Sequence, residues 1–184
     1  MIKRTRSFVV VLTLFSALVG ACSHTPAPPL VETPEPYLSA KASPVDDLRF
    51  LGPQPTEADL KALASQGVST VINFRRPEEM ENLEFDEAQI LASQSIQYVQ
   101  IPIGRGQYSP VQLTQLSDAL AQADSGKILL HCGSGWRASE VLVAHLVENE
   151  GWELNEALKH AIGWWPLALE QVTEKRYRLD TATP

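Results

Sequence analysis

The stretch from Ile128 to Ser139 constrains the fold of this chain more than any other. It reads Ile128-Leu129-Leu130-His131-Cys132-Gly133-Ser134-Gly135-Trp136-Arg137-Ala138-Ser139. The run over Lys127–His131 predicts a short buried strand. Its abrupt end in a glycine-rich turn predicts a helix that starts near Arg137 and runs to about Asn149. A strand passing through a tight turn straight into a helix is a building unit of a mostly parallel α/β sheet.

The flanking sequence alternates in the same way. Leu48–Leu51 reads as a short strand and Gly52-Pro53-Gln54-Pro55 as a turn. Thr56, with Asp59 three residues on, caps a helix that turns Leu60, Leu63 and Ala64 inward and stops at Gly67. Val68–Phe74 is β-branched and predicts a strand. A charged loop, Arg75-Arg76-Pro77-Glu78-Glu79, leads to a helix over Leu83–Ser93 facing Ala88, Leu91 and Ala92 to the core. Ile96–Ile103 alternates as a strand and Gly104–Ser109 is a loop. Pro110 opens a helix with Leu113, Leu116, Leu120 and Ala123 on one face. Gly151 breaks the helix that follows the cysteine, and one or two C-terminal helices come after, the last starting at Pro166. The expected fold is α/β, a mostly parallel central sheet of about four to five strands flanked by helices. Ligands bind such sheets at the carboxyl ends of the strands. The loops at Arg75–Glu81, Gly104–Ser109 and Cys132 should converge there.

The cysteine loop has the parts of an anion cradle. Gly133 and Gly135 can adopt backbone angles closed to other residues. The amides from Gly133 through Ser134, Gly135 and Trp136 to Arg137 can then point inward as a nest. The following helix adds its positive end, and Arg137 adds a planar fork suited to two phosphate oxygens. The same field favours a thiolate at Cys132, and the thiolate is the nucleophile. Ser139 is placed to hydrogen-bond that sulfur. His131 reads as a hydrogen-bonded core histidine that shapes the loop. Trp136 reads as a lining residue, and Trp152, Trp164 and Trp165 as packing residues. His145 and His160 read as ordinary helix residues. No second histidine stands at ligand spacing, so neither a metal nor another cofactor is expected.

The N-terminus reads as an export signal. Lys3, Arg4 and Arg6 precede an apolar run from Ser7 to Ala21, too short for a span of about 20 residues and matching a signal-peptide core of about 7–15. Val19-Gly20-Ala21-Cys22 resembles a bacterial lipoprotein processing site, where cleavage precedes a cysteine that is then lipidated. This resemblance implies a signal peptide over residues 1–21 and a lipidated Cys22 with a Pro-rich tether over 22–45, which leaves 46–184 for the folded domain with its C-terminal helices. Ser23 after that cysteine implies an outer-membrane anchor facing the periplasm. The chain has two cysteines. With Cys22 lipidated, Cys132 is left as an odd thiol in an oxidising compartment; the count alone fits a reactive thiol and a small buried hydrophobe equally, and its loop neighbours decide for the former. The formal net charge is −7. Without residues 1–21, 12 basic and 22 acidic residues remain, a net −10. Such a charge disfavours a nucleic-acid partner but not a small phosphorylated substrate at a locally positive site.

The pattern His131-Cys132-x-x-Gly135-x-Arg137-x-Ser139 resembles the signature of cysteine-dependent phosphatases. Four residues between Cys132 and Arg137, one fewer than in tyrosine phosphatases, make it similar to the beta-lactamase-hydrolase-like phosphatase domains of bacteria. Leu51-Gly52-Pro53-Gln54-Pro55-Thr56, Gly67–Arg75 with Pro77 and Glu78 behind, and Tyr98-Val99-Gln100-Ile101-Pro102-Ile103 extend the resemblance over roughly Leu48 to Val147. It implies phosphomonoester hydrolysis through a cysteinyl-phosphate. Two features depart from the pattern. Gly133 stands where many members carry a basic residue. The loop Gly104-Arg105-Gly106-Gln107 lacks the aspartate that protonates the leaving group. Glu78, Glu79 and Glu81 are the candidate acids from the neighbouring loop, and Arg105 is a candidate second anion contact. Two other readings fit the loop. One is rhodanese-like sulfur transfer through a Cys132 persulfide, and the other is a non-catalytic phosphate-binding module.

Overall fold

The computed structural model describes residues 35–104, 108–123 and 125–161. In chain order they form α1 (Tyr37–Ala40), β1 (Ser43–Pro44), β2 (Arg49–Gly52), α2 (Glu57–Ala62), a 3-10 turn (Ala64–Gln66), β3 (Val68–Asn73), α3 (Pro77–Met80), α4 (Glu87–Ala92), β4 (Gln97–Gln100), α5 (Pro110–Ala121), β5 (Lys127–His131), α6 (Trp136–Glu148) and α7 (Leu154–Ala161). The five strands make one sheet in the order β1-β2-β5-β3-β4. β2, β5, β3 and β4 run parallel and β1 is antiparallel at the edge.

Alternation along the central strands divides the core between the two faces. On β5, Ile128 and Leu130 join one cluster with Leu116, Val141, Leu142 and Ala157, from α5, α6 and α7. Leu129 points to the other with Tyr37, Leu60 and Leu91, from α1, α2 and α4. Helices therefore cover both faces, as a parallel sheet requires. Thr56 and Asp59 form the expected capping box on α2, and Gly67 terminates the 3-10 turn at φ 83°. Ser109 and Gln112 cap α5, with Pro110 in its first turn.

The elements differ from the sequence expectation in four places. The packed domain begins before residue 46: α1 and β1 lie in the stretch assigned to the tether, and Tyr37 and Leu38 are buried. Two apolar side chains suffice to dock this segment, while the surrounding prolines mask them in a compositional reading. The charged loop after β3 contains a helical turn, α3, with Pro77 at its start. α4 begins at Glu87, because Asp86 accepts the Gln89 amide as N-cap. That start puts Glu87 and Leu91 inward and leaves Ala88 and Ala92 exposed. Ala64 is exposed as well, because the chain tightens into the 3-10 turn there. The N-terminal signal, Cys22, Arg105, Trp164, Trp165 and the Pro166 helix lie outside the described residues. Among the described residues, no helix is long and apolar enough to cross a membrane.

Candidate active site

Three strand ends converge on the loop between β5 and α6, as parallel topology requires. The Phe74 amide donates to the His131 carbonyl at 2.9 Å, Ile101 to Asn73 at 2.9 Å, and Ile103 to Phe74 at 3.2 Å. From β2, the Gln54 amide donates to the Gly133 carbonyl at 3.2 Å. The loop is thus held from both sides before any side chain is considered.

Cys132 is 1 % exposed, and the Gly135 amide donates to its sulfur at 3.2 Å. Gly135 caps α6 at φ 88° and ψ −17°, a left-handed conformation that brings this amide round to the sulfur. Gly133 does not share it. No positive φ occurs there, and an added Cβ would meet only Arg137 Nη2, at 3.9 Å. One glycine, not two, is required by backbone angles. Gly133 and Ser134 are exposed and Trp136 is half-buried. Ser139 is buried; its amide donates to the Gly135 carbonyl at 2.9 Å, and its hydroxyl has no hydrogen-bond partner.

Arg137 is buried in the first turn of α6 and held from two neighbouring loops. Its Nη1 donates to Glu79 Oε2 at 2.7 Å and to the Ile103 and Phe74 carbonyls at 2.8 and 3.3 Å. Nη2 donates to Glu79 Oε1 at 2.8 Å. The pairing is bidentate and fixes the guanidinium plane. Burial opposes the charge on Arg137, but the Glu79 hydrogen bonds and the nearby Cys132 outweigh it and raise its pKa. Hydrogen bonds from Arg137 bring Glu79 down to about 2 against the opposing effect of burial, with Arg76 contributing further. Of the three glutamates considered as acids, Glu79 is therefore an ionised partner of Arg137 with no proton to give near neutral pH. Glu78 is exposed and 3.3 Å from Arg76, and Glu81 is exposed.

Behind the cradle lies a polar layer that the sequence did not reveal as a unit. His131 is fully buried, with Nε2 2.7 Å from Glu87 Oε1 and Nδ1 3.4 Å from the Cys132 carbonyl. The Nε2–Oε1 contact is close, yet neither atom has a hydrogen-bond partner. Glu87 Oε2 accepts from Gln54 Nε2 at 3.1 Å and Asn73 Nδ2 at 3.3 Å. Arg75 spans from Gln54 Oε1, at 2.7 Å, to the Glu79 carbonyl, at 2.7 Å. Gln54, Asn73 and Arg75 fall in segments that carry the family resemblance. Glu87 had no such signal, being one acid among several in a polar stretch. Among the described residues, no cluster of His, Cys, Asp or Glu is arranged to hold a metal ion.

Residues 45–146 match the family model described as beta-lactamase hydrolase-like protein, phosphatase-like domain. No curated protein sequence matches the chain. Among solved structures, a DUF442 protein from Shewanella putrefaciens CN-32 is similar at 18% identity and TM-score 0.58, covering 73% of this chain and 84% of that one. The protein nma1982 of Neisseria meningitidis z2491 is 23% identical, with TM-score 0.57 and coverage of 74% and 94%. PTPMT1, in complex with PI(5)P, is 17% identical, with TM-score 0.59 and coverage of 77% and 97%. At these identities the structural likeness establishes the fold alone.

Proposed function

This chain belongs to the beta-lactamase hydrolase-like phosphatase-like domain family, and from that premise we propose that it hydrolyses phosphomonoesters with Cys132 as nucleophile. The observation that carries the proposal is the pairing of two features on one loop. A buried sulfur receives a backbone amide, and a guanidinium is locked in plane by a bidentate carboxylate.

In the first step the Cys132 thiolate attacks phosphorus. The S–P bond forms as the ester P–O bond breaks, giving a cysteinyl-phosphate. The loop amides and the outer edge of Arg137 bind the equatorial oxygens, where charge spreads in the transition state. With Glu79 committed to Arg137, the leaving oxygen takes its proton from water. In the second step water attacks phosphorus, the S–P bond breaks, and inorganic phosphate leaves the regenerated thiolate. Ser139, with its buried unpaired hydroxyl one turn into α6, is the group we assign to stabilise the departing sulfur.

The test is turnover of an aryl phosphate by the reduced protein, compared with Cys132→Ser. Turnover that is lost in the variant supports the proposal. No turnover by the folded, reduced wild type overturns it and makes thiosulfate–cyanide sulfur transfer the next assay. Because PTPMT1 is seen with PI(5)P, a phosphoinositide belongs beside phosphopeptides and sugar phosphates in the substrate panel.

We further propose that the domain is carried on a lipoprotein anchored through Cys22 at the outer membrane, facing the periplasm. The support is the basic and apolar N-terminal pattern ending in Val19-Gly20-Ala21-Cys22. Labelled palmitate should enter the wild-type chain in a bacterial host and not Cys22→Ala. Equal labelling of both overturns the anchor.

A further inference from the structure

We infer that Glu87 is a positioning residue for the nucleophile, acting through His131; this rests on the reading of Cys132 as nucleophile given above. Glu87 is only 1 % exposed, and a carboxylate placed so deep is strongly unfavourable unless donors surround it. Its neighbours supply them at one oxygen. Oε1 faces the imidazole of fully buried His131 at 2.7 Å, and Oε2 accepts from Gln54 and Asn73. Asn73 also reaches the Tyr98 hydroxyl at 3.0 Å.

Two arms lead from this carboxylate to the two ends of the cradle. The short arm runs through His131 to the peptide of Cys132, whose carbonyl lies 3.4 Å from Nδ1. The long arm runs through Gln54 to Arg75, from Arg75 to the Glu79 carbonyl, and from the Glu79 carboxylate to Arg137. Gln54 also holds the Gly133 carbonyl through its own amide. One side chain on α4 therefore references both the sulfur and the guanidinium, although it touches neither.

The chemistry favours the short arm as the functional one. The ring lies between the Glu87 carboxylate, 2.7 Å from Nε2, and the Cys132 carbonyl, 3.4 Å from Nδ1, so the position of the carboxylate sets the position of the ring. A fixed ring fixes the Cys132 peptide, and that peptide sets the direction of the sulfur toward the Gly135 amide. An amide at position 87 would present a donor to at least one of the donors that Glu87 now satisfies. The ring and the peptide would lose their reference while the packing volume stayed the same.

The test uses Glu87→Gln in the full chain, alone and combined with His131→Asn. Three quantities are read: kcat, KM for an aryl phosphate, and the rate of iodoacetamide alkylation at Cys132, followed by peptide mass spectrometry. Glu87→Gln should slow alkylation and lower kcat by about tenfold, with KM changed by less than about twofold. In the His131→Asn background it should add less than about twofold, because both substitutions break one chain of contacts. Wild-type alkylation and kcat in the single variant overturn the inference, and so do independent, multiplying effects in the double variant. Alkylation needs only the thiol, so a wild type without phosphatase turnover would sink the functional reading and leave this comparison decisive. If the Glu87→Gln chain does not fold, Glu87→Asp, which draws the carboxylate back from the ring by one methylene, is read in its place: slowed alkylation and lowered kcat support the inference, and wild-type values of both overturn it.

Discussion

At the scale of single residues, Glu79 changes role most between sequence and structure. In the sequence it is one of three loop carboxylates that could protonate a leaving group. In the structure both its oxygens are bound to Arg137, and its pKa is held at about 2. It therefore orients the guanidinium. Glu79→Gln should lower kcat/KM by about ten- to a hundredfold, less than or comparable to deleting an oxyanion donor. The loss should be equal for aryl and alkyl phosphates. A loss that grows with the basicity of the leaving group would instead make Glu79 a proton donor. Stability supplies a second readout. A carboxyl depressed from 4.5 to about 2 stabilises the fold fully above its unfolded value. That contribution fades as pH falls from about 4.5 toward 2. The carboxylate is a quarter exposed, so solvent damps the effect. The melting temperature of Glu79→Gln should fall less steeply than that of wild type over this range. That Cys132 and Arg137 share one turn was legible because a strand–turn–helix leaves few places for them. The partner of Arg137 was not, because it depends on which face of α3 turns toward the cradle.

At the scale of elements, the central strands and most helices followed from periodicity, whereas the strand order came only with the structure and helix faces followed from caps. α4 shows the difference. Asp86 as cap rotates the helix so that Glu87 replaces Ala88 on the inner face, and no apolar pattern announces a buried acid. The turn into α6 is a second case, with a direct test. Gly135 at φ 88° needs glycine, while Gly133 does not. Gly135→Ala should cost about 1–2 kcal/mol in stability and pull the amide off the sulfur, lowering kcat. Gly133→Ala should fold and turn over near the wild-type level; equal losses in both would refute the assignment of the turn. Further along α6, His145 uses both ring nitrogens. Nδ1 lies 3.1 Å from Ser117 Oγ on α5, and Nε2 lies 3.1 Å from Glu150 Oε1, itself paired with Arg49. Burial lowers its pKa, more than Glu150 raises it. The unfolded chain thus takes up the proton first. The stability from burying the neutral ring is complete above the ordinary value of 6.5 and is lost as pH falls through the lower folded value. His145→Gln should flatten the stability profile of the wild type below pH 6.5 in denaturant titrations, and an unchanged slope would refute the assignment.

At the scale of the whole molecule, charge sets a condition that the site must overcome. The chain carries −7, and Arg137, the cation assigned to the phosphate in the proposed mechanism, is already paired with Glu79. On that proposal, substrate capture depends on loop amides and the α6 terminus, which act at contact distance, while the net field repels a dianion from afar. Salt separates these ranges. The screening length falls from roughly 30 Å at 0.01 M to about 10 Å at 0.1 M, so added sodium chloride removes the distant repulsion before it weakens the contacts within the cradle. Accordingly, kcat/KM for a dianionic aryl phosphate should rise about two- to threefold across that interval, in the direction opposite to electrostatically steered capture. Stopped-time assays at fixed pH measure it. A fall with salt would mean that the cradle projects net positive charge to solvent, and that Arg137 escapes Glu79 when the phosphate arrives.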